Sequence, residues 1–142
     1  MVVTKQFILA GKSIFTIHNP NGQQYTYKVV KKTYRNSPIY FVNLLTGPNN
    51  LSDFTYIGVL DPDKGEVRLT RGSRLTSDSL PVKVIRWAIK HIWIGSEFPP
   101  GYGVASEGRC GRCGKRLTRH EGIEPKGYRF GFGPECFELI NQ

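Results

Sequence analysis

Turn-forming residues cut the first half of the chain into short runs rich in β-branched and aromatic side chains, and that punctuation constrains the fold class more than any other feature. Asn19-Pro20-Asn21-Gly22 stands between two alternating runs, so residues 13–18 and 23–32 should pair as a hairpin. In the second run Tyr25, Tyr27 and Val29 share one face, while Thr26, Lys28 and Val30 share the other. Residues 5–10 read as a further short strand, with Gly11 and Lys12 before the next. Arg35-Asn36-Ser37-Pro38 breaks the chain, and residues 39–45 form another strand, ended by Thr46-Gly47-Pro48-Asn49-Asn50. Residues 54–60 and 66–70 complete the series around the turn Asp61-Pro62-Asp63-Lys64-Gly65. Hairpin connections at this spacing predict a twisted, mostly antiparallel sheet of five or six strands.

One helix follows. Ser77-Asp78-Ser79 offers caps, Pro81 suits a first helical turn, and Val82, Ile85, Ile89 and Ile92 recur at helical spacing with Trp93 beside them. A helix over residues 79–94 should lay that stripe on the sheet and leave Lys83, Arg86 and Lys90 toward solvent. The expected fold is α+β, with a core that includes Ile17, Val29, Phe41, Ile57, Ile85, Ile89 and Ile92. Gly95 ends the helix, and Phe98-Pro99-Pro100-Gly101-Tyr102-Gly103 reads as a semi-rigid linker. The domain reading is a sheet-and-helix unit over 1–95, a linker over 96–104 and a metal-stapled element over 105–142.

All three cysteines lie in that last element. Cys110-Gly-Arg-Cys113-Gly114 has zinc-knuckle spacing, and Cys136 opens a short helical run after Gly131-Phe132-Gly133-Pro134. A thiolate in a first helical turn is favoured by the helix dipole. Tetrahedral zinc needs a fourth donor, and His120 is the histidine between the outer cysteines; Glu121, Glu124, water, His18 or His91 are alternatives. One structural Zn2+ per chain is therefore expected on Cys110, Cys113, His120 and Cys136. The bland alternatives are a reduced knuckle without metal, or one disulfide and a spare thiol.

At these residues the chain resembles the small zinc-binding domain of unknown function found in many bacteriophage and plasmid proteins. The resemblance rests on Cys110, Cys113, Gly114, Leu117, Thr118, Gly131, Gly133, Pro134 and Cys136. A weaker likeness extends upstream, through FTIHNPNG, PIYFVNLLTGPNN and FTYIGVL. The resemblance implies a phage or mobile-element origin and a zinc knuckle or treble-clef-like element, with no settled activity.

Formal net charge is +9. Residues 1–104 carry 13 basic and 6 acidic side chains, so most of the excess sits upstream of the cysteines. That balance points to an anionic partner, nucleic acid first, although surface charge also serves solubility. Arg109, Arg112, Lys115, Arg116, Arg119 and Arg129 around the cysteines, with Lys28, Lys31 and Lys32 on the second strand run, are the candidate contacts. Tyr128, Phe130 and Phe132 interleave with them as flat faces for unpaired bases or as packing beneath a metal. The functional expectation is a phage-type accessory protein that binds DNA or RNA with little sequence preference; the alternative is an adaptor or inhibitor of a host protein. No phosphate-cradling loop and no nucleophile elbow occurs, so no catalytic residue is assigned. The short apolar run at the N-terminus is broken by Lys5 and Lys12, and clustered cysteines fit a reducing compartment, which together predict a cytoplasmic protein with no membrane partner.

Overall fold

In the computed structural model, which describes residues 3–49, 52–106 and 112, six strands form one antiparallel sheet with a single long helix packed on it. Helix α1 (Lys5–Ile8) comes first, followed by β1 (Lys12–His18), β2 (Gln24–Tyr34), β3 (Ser37–Leu45), β4 (Phe54–Asp61), β5 (Glu66–Arg68), α2 (Leu80–Ile94) and β6 (Gly103–Ser106). The strand order is β5-β4-β3-β2-β1-β6, a meander from β1 to β5 to which the last strand returns along the free edge of β1.

The β1–β2 hairpin forms as the turn signal predicts, with Ile17 opposite Tyr25 and Phe15 opposite Tyr27. The break at residues 35–38 is itself a hairpin. Arg35 and Asn36 both take positive φ, at 50° and 65°, in the mirror-image turn that matches strand twist, and Tyr34 pairs with Ser37. The run expected as a strand at 5–10 is instead one helical turn. Thr4 caps it by accepting the Phe7 N–H at 3.1 Å, and Phe7 and Ile8 are both buried. The fully buried Ser13 hydroxyl donates to the Ile8 carbonyl at 3.0 Å and ties that turn to β1.

Strand β4 carries a bulge. Asn43 pairs with Tyr56 and Val42 with Gly58, so Ile57 is the extra residue. The insertion resets the alternation and lets Ile57 and Leu60, three positions apart, both enter the core. That core lies between the sheet and α2, where Phe15, Ile17, Tyr27, Val29, Val42 and Leu44 meet Val82, Ile85, Ala88 and Ile89. Phe41, expected among them, alternates onto the opposite sheet face and is half-buried, and Ile92 packs only at the margin.

Polar bonds fix the helix on the sheet at both ends. The Tyr27 hydroxyl donates to the Pro81 carbonyl at 2.7 Å, and the Trp93 indole N–H donates to the Pro62 carbonyl at 2.8 Å. Midway, Arg86 Nε donates to the Val67 carbonyl at 3.0 Å and is turned onto β5, while Lys83 and Lys90 face solvent as expected, Lys90 in an exposed pair 3.7 Å from Glu66. The expected zinc element at 105–142 lies outside the described residues, except for Ala105, Ser106 and Arg112. No helix among the described residues is long and apolar enough to cross a membrane.

Candidate functional site

Helix α2 carries two stripes. Val82, Ile85 and Ile89 enter the core, while Leu80, Lys83, Val84 and Trp87, spaced i, i+3, i+4 and i+7, form one wall of a groove beside it. The other wall is the end of the first hairpin: Ile17 and His18 of β1, Asn19 and Gln23 of the turn, and Tyr25 of β2. Pro99 and Tyr102 close one end of a cavity of about 580 Å³. Leu80 at the mouth is 54% exposed and Tyr102 at the closed end 40%, so among the described residues part of this apolar surface is left uncovered.

The far end is built rigidly. The Trp87 ring lies 4.7 Å from that of His91, 5.3 Å from Phe98 and 5.2 Å from Tyr102, and His91 stacks on Phe98. His91 shares a 2.7 Å hydrogen bond between Nδ1 and the Ser96 hydroxyl, and its carbonyl accepts the N–H groups of Gly95 and Ser96 beyond the helix end. These bonds turn the chain so that Phe98 and Tyr102 come back over the helix. His18 packs against Gly103, its partner across β1 and β6, where a Cβ would stand 2.5 Å from the ring.

The polar atoms at the hairpin wall are partly committed. Asn19 accepts the N–H groups of Asn21 and Gln23 at 3.0 Å each, and its amide donates to the Gln23 side-chain oxygen at 2.8 Å. No carboxylate is among the described residues lining the groove. Lys83 is exposed at its mouth, and among the described residues no carboxylate lies within ion-pair distance of it.

A second, shallower depression of about 400 Å³ lies on the opposite face of the sheet, lined by Lys28, Val30, Lys32, Phe41, Asn43, Ser52, Phe54 and Tyr56. Here Lys28 Nζ stands 5.5 Å from the Phe54 ring centre, and the Phe41 and Tyr56 rings are 6.1 Å apart. The Asn43 amide donates to the Lys28 and Phe41 carbonyls at 3.3 Å, and the Tyr56 hydroxyl is bonded to that of Thr70 at 2.8 Å. Of the candidate contacts on β2, Lys28 and Lys32 share this face, whereas Lys31 alternates to the other. Arg112 is exposed, with its carbonyl oxygen 2.6 Å from where a Cβ on Gly11 would stand. Arg109, Lys115, Arg116, Arg119 and Arg129 lie outside the described residues.

The metal reading is corrected. Among the described residues no group of three or more His, Cys, Asp or Glu is placed to hold an ion, and the proposed ligands Cys110, Cys113, His120 and Cys136 lie outside them. A tetrahedral site needs four donors converged at about 2.0–2.3 Å. The upstream alternatives do not converge: His91 is bound to Ser96 inside an aromatic cluster, and His18 lies against Gly103 on the other wall. The Zn2+ cofactor, the zinc knuckle, the resemblance to the phage and plasmid zinc domain, and the zinc-supported accessory function drawn from them are therefore withdrawn. The chain matches no family model, no curated protein and no solved structure.

The sequence expectations do not include the groove, although its signal is present. Leu80-x-x-Lys83-Val84-x-x-Trp87 is a second helical stripe, masked by the stronger one formed by Val82, Ile85, Ile89 and Ile92.

Proposed function

We propose that this chain is a binding module rather than an enzyme, and that the groove between α2 and the first hairpin holds a ligand that is mostly apolar. The observation that carries this reading is the exposed apolar surface of Leu80 at the mouth of a cavity of about 580 Å³ whose walls include Tyr25, Val84 and Trp87. Sites for small molecules are typically concave, about 300–1,000 Å³, and apolar with few polar groups.

Trp87 supplies the assay, because it lines the groove and packs against Tyr102. In a Trp93→Phe background, single-chain alcohols from hexanol to dodecanol should change Trp87 emission saturably, with affinity rising by chain length. Val84→Phe, which adds bulk to the wall without adding a second tryptophan, should abolish the effect while the far-ultraviolet circular dichroism stays unchanged. No saturable change with any chain length would overturn the reading.

The opposite face supports a second reading. Lys28 and Lys32 beside Phe41, Phe54 and Tyr56 favour an anionic partner, either nucleic acid or an acidic protein surface. Salt-titrated mobility shifts with single- and double-stranded nucleic acid separate those two.

A further inference from the structure

Lys83 and Gln23 place donors at the rim of the groove, beside the Tyr25 and Tyr102 hydroxyls and the His18 ring, which can donate or accept. The Gln23 side-chain carbonyl already accepts one bond from the Asn19 amide, which fixes the side chain so that its amide N–H groups are turned to the other side. The Asn19 oxygen already accepts two backbone N–H groups. Lys83 contributes an ammonium at the mouth, one helical turn from Leu80 and Trp87, and the lining contains neither Asp nor Glu. Asp78 is not among those lining residues; its carboxyl is held below the usual range first by the Thr76 hydroxyl, with the charge of Lys83 the smallest contribution.

An apolar trough with a donor-rich rim is complementary to an amphiphile whose polar end is a hydrogen-bond acceptor carrying negative charge. A cationic head would meet Lys83 without a compensating carboxylate, and a neutral hydroxyl would leave the charge-assisted bond unmade. We infer that the groove binds a single-chain or aromatic carboxylate, its apolar body against Val84, Trp87 and Tyr25 and its carboxylate toward Lys83 and the Gln23 amide. This rests on the reading of the groove as a ligand site and adds the chemistry of the head group.

The test uses three probes that share one chain: decanoate, decanol and decylamine, each titrated at neutral pH below its aggregation threshold against the Trp93→Phe protein, with Trp87 emission and calorimetry as readouts. Decanoate should bind about tenfold more tightly than decanol, as a hydrogen bond to a charged group predicts, and decylamine should be the weakest. Lys83→Met keeps an apolar stem of similar length and should erase the preference for decanoate while leaving decanol unchanged. Gln23→Leu should reduce the preference by a smaller factor. Equal affinity for decanoate and decanol, or an undiminished preference in Lys83→Met, overturns the inference and leaves the groove as an apolar site. Failure of all three probes to bind removes the groove reading as well.

Discussion

Replacing Gly58 with alanine tests whether the bulge in β4 dictates how β5 is held. Gly58 is buried in the strand that carries the extra residue, and the bulge aims its missing side chain at the neighbouring strand rather than out of the sheet. A Cβ there would stand 2.3 Å from the Arg68 carbonyl oxygen and 3.0 Å from its carbon. Ordinary carbon contacts lie at about 3.5–4.0 Å, so the two backbones must part by roughly 1 Å. The element that can move is β5, which has three residues and sits at the sheet edge. Its displacement would disturb buried Val67, the Arg86 bond to the Val67 carbonyl and the Arg68–Asp61 pair. Overpacking against backbone costs about 1–3 kcal/mol, and with the Arg86 bond weakened about 2–3 kcal/mol is expected. For a chain of this size that lowers Tm by roughly 6–12 °C. Gly95→Ala is the control, since Gly95 has φ of +74° and nothing lies within 4 Å of where its Cβ would stand. It should cost about 1–2 kcal/mol through backbone conformation alone. Urea denaturation gives both costs, and hydrogen exchange should show loss of protection in β5 for Gly58→Ala only. A Gly58→Ala protein within about 0.5 kcal/mol of wild type, the range of a neutral surface change, would refute the steric argument.

Two further substitutions probe the polar bonds that lock the core. Tyr27→Phe removes the hydroxyl that donates to the Pro81 carbonyl and should cost about 1 kcal/mol at neutral pH, measured by urea denaturation. Burial, and to a lesser extent neighbouring Tyr25, pushes the Tyr27 hydroxyl well above its ordinary value of 10.0, so above that pH the unfolded chain loses its proton first and wild-type stability falls. The difference between wild type and Tyr27→Phe should therefore shrink as pH rises past about 10, by up to ~1.4 kcal/mol per unit; a pH-independent difference would contradict the burial of that hydroxyl. Ser13→Ala leaves the buried Ile8 carbonyl without its side-chain donor and should cost about 1–2 kcal/mol, with fluorescence or exchange showing α1 loosened first; an unchanged midpoint would mean that α1 is held by packing alone.

Most of the sheet was legible because turn chemistry and alternation are local. Asn19-Pro20-Asn21-Gly22 and the Asp61–Gly65 turn each place a reversal where the structure has one, and the Gly65 N–H bonds back to the Asp61 carbonyl at 2.9 Å. Three features were not local. The Arg35-Asn36 hairpin lacks the glycine that marks most such turns, and its positive φ values are imposed by the pairing of β2 with β3. The turn at Lys5–Ile8 has strand-like composition, and becomes helical because Thr4 caps it and the Ser13 hydroxyl holds its end. Strand β6 has little apolar patterning of its own, and its first two residues, Gly103 and Val104, fall within the stretch 96–104 read as linker. Its place comes from the open edge of β1, where Val104 sets against Ile17.

The groove exists for the same reason that it was hard to see. A helix with one apolar stripe covers a sheet and ends the matter, but α2 is apolar on two adjacent stripes, and the sheet's inner face takes only Val82, Ile85, Ala88 and Ile89. The second stripe is partly capped by chain that returns from the helix end through Phe98 and Tyr102, held by the Ser96–His91 bond and by the pairing of Gly103 with His18. That return covers Trp87 and stops short of Leu80, which stays 54% exposed beside Lys83. A ligand seated in the proposed groove would bury that apolar surface together with Val84 and Trp87. The apolar side chains open to solvent here, against an immobilised tryptophan and a donor-rich rim, are arranged as one end of a trough whose other end the fold has already closed.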